Sequence, residues 1–452
     1  MATVIVGGGI IGLSTAYCLS LLQPELASNH QIHIVDSASE LLLSASGHSG
    51  GFLAKDWFSP AVSSLGALSF HLHKELAQAH DGPRNWGYAP STAYSLAIEE
   101  RGVGSKKNKG KDWLLEGTSR AGVASAVTGG QEQMPSSEGA KRNEMLNDDG
   151  TPAWITKQEN GSLEVIGSGD SCAQVEPRQL CLWLRKQCED RGVKLHTKCM
   201  PTGIVKGEHG EVVGVKVSKD CEVYEKNCKN IVITAGAWTP NVFQKIFHSS
   251  NLRIPISSLA GYSIVVRSPR YTRPILDPTR HGENSAVGVS QGVFCAPSSS
   301  WAFAPEAFSR VPPDGTPELW VGGLNDSHMK LPKLVDEVEN LQDSEKMEEL
   351  RNAAVLLTGL SQEGDNLKID DLKVVRQGLC FRPVSDNGRP IISKVPETAL
   401  GHDIKMSPGA GVFVASGHGP WGISLSLGTG QVMAEMLLGR KLSADISSLA
   451  LK

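Results

Sequence analysis

At 452 residues, 40% hydrophobic and 20% charged, the chain can bury a large core and exceeds one compact domain, so two interleaved domains are expected. A formal net charge of −4 without a sustained basic run excludes the electrostatic footprint of a nucleic-acid binder. No stretch approaches the roughly 20 consecutive apolar residues of a membrane span, and nine cysteines without CxxC or other metal spacing imply no metal and a soluble, cytoplasmic, reducing setting. The final Ala450-Leu451-Lys452 is not Ser-Lys-Leu, so a peroxisomal address is not supported.

In chain order, Thr3-Val4-Ile5-Val6 predicts a short buried strand closed by Gly7-Gly8-Gly9, and residues 10–22 read as an apolar helix. Residues 31–35 form a second strand ending at Asp36, completing a βαβ unit of about 35 residues. A parallel sheet is expected to start here. Residues 41–55 are rich in Ser and Gly and read as a loop lying against a ligand. Residues 99–160 mix Gly, Lys, Ser and Glu with few apolar anchors and read as a surface insertion. Pro177 opens a helix in which Leu180, Trp183, Leu184 and Cys188 share a face, and Gly192 ends it. Strands follow at 212–217, 230–234 and 254–266, and residues 333–357 read as an acidic amphipathic helix with Leu334, Val338 and Leu341 inward. From Val374 the chain returns to Gly-punctuated strands, and 411–438 repeats the opening order of strand, Gly turn and helix. The expected fold class is an α/β Rossmann-like dinucleotide-binding domain interleaved with an α+β domain built on an antiparallel sheet. The first takes 1–90, 161–250 and 375–452; the second takes 251–374, with 91–160 as insertion.

Gly7, Gly9 and Gly12 form GxGxxG between strand and helix: the first allows the tight turn, the second lets backbone approach a pyrophosphate, the third lets helix and strand pack closely. Ile10 and Ile11 open the helix, whose unpaired N–H groups suit phosphate. Asp36, with Ser37 beside it, ends the next strand on the order of 20 residues later, placed to accept hydrogen bonds from an adenosine ribose. Strand, turn, helix and acid in register predict dinucleotide binding, without deciding between FAD and NAD. The strand at 231–234 ends in Ala235-Gly236-Ala237-Trp238, small residues that let a turn pass close to a cofactor, although an ordinary strand-to-turn reads the same way. Gly417-His418-Gly419-Pro420-Trp421-Gly422, followed by Ile423, lies between a strand and a helix. That puts a second helix N-terminus where it would stabilise negative charge on a reduced flavin, which an NAD dehydrogenase does not need.

Three such signatures in this order resemble the FAD-dependent oxidoreductase family of D-amino-acid oxidase, glycine oxidase and monomeric sarcosine oxidase, over about 3–57, 175–238 and 378–439. The resemblance implies FAD held mostly by the first fold. Ser44, Ser46, Gly47, His48, Ser49, Gly50 and Gly51 would lie near its pyrophosphate and ring, and the Val205 backbone would meet the adenine. Ala235, Gly236, Trp238, Cys380, Gly417, His418, Gly419, Trp421, Gly422 and Ile423 complete the implied cofactor site, with His418 also expected to act in catalysis. Arg382, in Phe381-Arg382-Pro383, matches the arginine that pairs with the substrate carboxylate in the amino-acid oxidases, a task its planar fork suits. A structural salt-bridge Arg is the alternative.

Cys380 resembles the cysteine carrying covalent flavin in the sarcosine oxidase branch, and His48 the flavin-linked histidine of the dimethylglycine dehydrogenase branch. Against these stand a buried Cys acting as a small hydrophobe and a plain loop His. Trp320 falls where sarcosine oxidases place a lysine that helps oxygen react, a departure that speaks against rapid oxidase activity. Trp301, Trp421 and Tyr262 either wall a substrate pocket or fill core, and Asp386 and Asn387 shape a turn. The expected activity is oxidation of a small amine or amino acid at its C–N bond to an imine, electrons passing to oxygen or another acceptor. The rivals are an NAD-dependent dehydrogenase, and an FAD-binding protein with an interaction or trafficking role docking through 99–160.

Overall fold

The computed structural model describes residues 2–22, 31–97, 146–147, 151–156, 162–282, 285–296, 301, 303–361 and 368–451. The β-branched run of the strand Ala2–Val6 is buried on both faces and takes the middle of a six-stranded sheet, the place such a run suits. It pairs in parallel with Gln31–Val35 on one side and Asn230–Ile233 on the other. Lys194–His196 and Gly411–Ser416 extend the sheet in parallel, and Ile391–Lys394 closes it antiparallel.

The helix Ile10–Leu22 is buried over most of its length because two other helices cover it, Pro177–Asp190 and Ser426–Leu438. Glycine makes the second crossing close: a Cβ added to Gly430 would lie 2.6 Å from the Ser14 backbone. Gly428 does the same for the helix Pro60–Ala79, where an added Cβ would meet Ser69 Cβ at 2.8 Å. On the opposite face, Val212, Val215 and Val217 of the strand Glu211–Lys219 pack against Val4, Val6, Ile231 and Ile233.

Ile256–Arg267 is the spine of a second, ten-stranded sheet, paired antiparallel along its length with Lys373–Ser385 and with Glu318–Asp326. Glu306–Arg310, Ser285–Cys295, Ala89–Ala97, Cys172–Gln174 and Phe52–Ala54 follow in that order. The Ser285–Cys295 to Ala89–Ala97 pairing is parallel, so the sheet is antiparallel with one exception among the described residues. Lys373–Ser385 belongs to this sheet although most of it falls in the segment expected on the cofactor side. One continuous core joins the sheets, with Ile11 and Leu13 in the same cluster as Phe52, Trp57, Phe294 and Phe308; each such side chain contributes roughly 1.5–3 kcal/mol by leaving water. A buried ion cluster spans the same boundary. Glu176 caps the helix Pro177–Asp190 by accepting from the Gln179 N–H at 2.7 Å, and also meets Arg376 Nη2 at 3.1 Å and Arg310 Nη1 at 3.4 Å.

Several expectations need correction. Residues 41–55 are more than a loop, holding a short helix, Ala45–His48, and the strand Phe52–Ala54. The helix expected over 333–357 starts at Ser344, where the Asp343 carboxylate takes the N–H groups of Glu345 and Lys346; Leu341 before it is 38% exposed. In the insertion, Trp154 is 1% exposed and sits in the core of the second sheet, and Thr156 donates through N–H and hydroxyl to the Leu357 and Gly359 carbonyls. The remainder of that insertion reading lies outside the described residues. No helix among the described residues is long and apolar enough to cross a membrane.

Candidate active site

The opening turn is shaped for a ligand by glycine. Gly7 has φ +114°, and an added Cβ would lie 2.5 Å from the Thr234 carbonyl; at Gly12 it would lie 2.0 Å from the Gly7 carbonyl. At Gly9 it would meet only Ser46 Oγ, at 3.1 Å. Thus Gly7 and Gly12 are required by packing, whereas Gly9 keeps a cavity open. The first-turn N–H groups of the following helix have no intrahelical partner, and Ser46 Oγ accepts that of Ile10 at 3.0 Å. Asp36 accepts the Gly8 and Ala38 N–H groups at 2.6 and 2.8 Å, leaving a lone pair on each oxygen. Burial pushes its pKa up, opposed by those two donors.

The cavity above this turn is lined by both sheets. Of the expected cofactor residues it gathers Gly7, Gly9, Ile10, Ile11, Asp36, Ser37, Ser44, Ser46, His48, Ser49, Gly50, Gly51, Ala235, Gly236, Trp238, Cys380, Arg382, His418, Gly419, Gly422 and Ile423. Gly12, Gly47, Gly417 and Trp421 are not among its lining residues. Val205 does not reach it: its backbone pairs with Gly214 and its side chain is buried, while Met200 and Pro201 of the same strand line the cavity. Lys245, Lys333 and Val335 also line it, without a sequence signal that pointed to them. Among the lining residues Asp36 is the one carboxylate.

Arg382 is carried by the strand Lys373–Ser385, and its guanidinium lies over Gly261 of the neighbouring strand, where an added Cβ would come within 2.6 Å of three of its atoms. Asn325 Oδ1 accepts from Nη1. No acidic residue among those described is paired with it, so the cavity contains an uncompensated cation. A lone glycine inside an apolar strand was the available signal for that close approach; Asn325 had none. Nearby, Trp320 stacks on Phe308 with ring planes 3° apart and donates from Nε1 to the His48 carbonyl at 3.0 Å. Ser263 Oγ donates to the same carbonyl at 3.2 Å. Gly50 makes room for this stack, since a Cβ there would lie 2.5 Å from the Phe308 ring. Trp301, Trp421 and Tyr262 do not line the cavity and pack into the cores. Asn387 shapes the turn, accepting the Arg389 N–H.

His48 is held neutral, its pKa pushed down to about 4 by burial and by the nearby Arg376 and Arg178. Burial alone pushes His418 down to about 3; its Nε2 pairs with Thr429 Oγ1 at 3.1 Å. Burial pushes the Cys380 thiol up, against the pull of Arg382. The C-terminal turn differs from expectation. The helix begins at Ser426, after a 3₁₀ turn at Gly419–Trp421, so it is the turn and not the helix end that meets the cavity. Gly422 and Ile423 line the cavity, and their N–H groups have no partner among the described residues. A dinucleotide with a ring that gains negative charge on reduction fits this donor set: backbone N–H groups at two turns, one acid for a ribose, and glycines where a Cβ would fill the space.

A family model described as FAD dependent oxidoreductase matches residues 2–436. Two yeast relatives with provisional oxidoreductase names align along nearly the whole chain. C1F5.03c of Schizosaccharomyces pombe is 26% identical over 99% of this chain and 96% of its own; TDA3 of Saccharomyces cerevisiae is 25% identical over 99% and 93%. Among solved structures, glycine oxidase from Geobacillus kaustophilus superposes with a TM-score of 0.66 at 18% identity, over 100% of this chain and 98% of its own. NikD, described as an unusual amino acid oxidase, gives 0.64 at 14% identity, over 100% and 97%. At these identities the two structures establish a shared fold.

Proposed function

This chain belongs to the DAO family of FAD-dependent oxidoreductases, and from that premise we propose that it oxidises the C–N bond of a small carboxylate-bearing amine to an imine. The observation that carries the reading is the acid-free Arg382 guanidinium inside the cavity, set against Gly261 and held by Asn325. It grips a substrate carboxylate by two parallel hydrogen bonds and so fixes which carbon is presented. FAD, when bound, takes the two electrons and the α-hydrogen that leave the substrate carbon. The Trp320–Phe308 stack walls the reacting carbon from water. His48 and His418, both neutral, add no charge to compete for the carboxylate. The substrate nitrogen enters uncharged and, once the hydride has left carbon, gives up one proton to solvent, and the imine then hydrolyses in water.

Trp320 offers no cation beside the ring, which supports slow reoxidation by oxygen and transfer of electrons to another acceptor. Burial keeps the Cys380 thiol protonated and so a poor nucleophile, which supports FAD held by contacts and not through Cys380. All nine cysteines are free, in keeping with a cytoplasmic setting. FAD dependence disfavours the nicotinamide alternative, and the docking reading rests on residues 99–160, most of which lie outside the described residues.

The test is a visible spectrum before and after acid precipitation, then an anaerobic panel of glycine, sarcosine, proline and other amino acids, with uncharged amines as controls. Yellow supernatant and bleaching by carboxylate-bearing amines are expected. A yellow pellet would overturn the non-covalent reading, and bleaching by uncharged amines alone would overturn the role of Arg382.

A further inference from the structure

The turn that brings Gly422 and Ile423 to the cavity is braced from behind by a histidine that does not line it. His73, 1% exposed, lies on the helix Pro60–Ala79 one turn beyond Ser69, whose hydroxyl accepts the Gly428 N–H at 3.0 Å. The spacing of four puts both side chains on the face turned to the C-terminal helix. His73 Nε2 is 3.0 Å from the Ile423 carbonyl. A carbonyl only accepts, so Nε2 carries the proton and Nδ1 holds a lone pair. That Nδ1 is buried without a partner.

A side chain that only filled this interface would not be a histidine: an unpartnered buried nitrogen costs about 1–3 kcal/mol, and leucine would fill the volume without it. What the histidine supplies is its Nε2–H, with Nε2 3.0 Å from the Ile423 carbonyl and 3.4 Å from the Ser426 hydroxyl. The same carbonyl accepts from the Ser426 hydroxyl at 2.8 Å and the Ser426 N–H at 3.2 Å. Three donors on one oxygen fix the peptide that follows Ile423, and with it the aim of the N–H groups just before.

We propose that His73 is a positioning residue that, through the Ile423 carbonyl, holds the Gly422 and Ile423 amides toward the flavin ring and makes bound FAD easier to reduce. Donors fixed in advance stabilise developing negative charge, whereas a turn free to rotate must first be ordered. The inference rests on FAD dependence and not on any amine substrate.

The measurement is the midpoint potential of the full-length holoprotein, by titration against reference dyes, alongside its FAD dissociation constant. His73→Leu should lower the two-electron reduction constant about tenfold, or about 30 mV, with a smaller change in FAD affinity. His73→Gln, which keeps an N–H donor, should recover most of the shift. Ser426→Ala, which removes another donor to the same carbonyl, should move the potential the same way and keeps the test readable if His73→Leu does not fold. An unchanged potential in Ser426→Ala and in whichever His73 variants fold overturns the proposal. So does a tenfold loss of FAD affinity at unchanged potential, which would place the turn against the pyrophosphate. Failure of every amine to bleach the flavin would count against the proposed function and leave this measurement intact.

Discussion

The two ends of the cavity are built by different means. At the Asp36 end, what the wall offers a ligand is mostly backbone: glycines at 7, 9 and 12, the N–H groups of the first helical turn, and one acid already anchored by Gly8 and Ala38. At the Arg382 end it is side chains, with Arg382, Trp320 and Phe308 carried on antiparallel strands and His48 at the end of the short helix Ala45–His48. A backbone site tolerates little change, because a Cβ in the wrong place has nowhere to move. A side-chain site can be rebuilt residue by residue on an unchanged sheet, which is how one fold serves different substrates.

Substitutions at the glycines should break this comparison most severely. Gly12→Ala sets a Cβ 2.0 Å from a carbonyl, so loss of soluble, yellow protein on gel filtration is expected. Gly9→Ala meets only Ser46 Oγ at 3.1 Å; its apoprotein should melt within a few degrees of wild type while FAD affinity drops about tenfold or more. Equal behaviour of the two would mean that the glycines do not divide between packing and ligand. At the other end, Arg382→Met should keep FAD and lose roughly 30-fold to several thousand-fold in kcat/KM for carboxylate substrates, the about 2–5 kcal/mol of a truncated ion pair. Loss of flavin in that variant would join the two ends that the comparison separates.

His48 at the Arg382 end, and His418 and His73 at the C-terminal turn, are neutral and carry a pH signature. His48 and His73 have pKa values pushed down by burial to about 4, and His418 to about 3, against about 6.5 in the unfolded chain. The unfolded state therefore binds more protons. Stability is fully present above about pH 6.5 and is lost as pH falls toward the folded values, by about 2 kcal/mol per histidine between pH 6.5 and 5. Urea midpoints over that range should show it, with a shallower slope in His418→Gln. An unchanged slope in that variant would mean His418 is solvated in the folded protein.

What the sequence made legible follows the same division. The helix Ile10–Leu22 and the strand Gln31–Val35 lie where the punctuation at Gly9 and Asp36 put them, because a backbone site requires particular residues at particular spacings. Arg382 was legible through its motif. Its pairing was not: Gly261 carried only the mark of some close approach and Asn325 none, and only pairing across the sheet unites them with Arg382. His73 was invisible for the same reason, since a helix about 350 residues earlier reaches Ile423 only through tertiary packing. The late start at Ser344 was legible in retrospect, as Asp343 is a strong cap.

The smallest expected effect concerns a place where a connection of the second sheet reaches the backbone-built end. After the strand Glu318–Asp326 the chain crosses to the nucleotide side, where the Pro332 carbonyl accepts from Trp238 Nε1 at 2.8 Å and the Asp336 carboxylate accepts the Ser39 N–H at 3.0 and 3.2 Å. Between these ties Lys333 and Val335 line the cavity. The strap therefore closes over the Asp36 end without supplying the contacts that define it. Asp336→Ala removes a solvent-exposed bond, so the loss should be about 1 kcal/mol or less, read as a few-fold faster release of FAD on dilution, followed by the rise of its fluorescence. A closing strap speeds entry as well as exit when loosened, so the dissociation constant should change less than the release rate. Equal change in both would make the strap part of the binding surface, and the nucleotide end would then depend on side chains as the substrate end does.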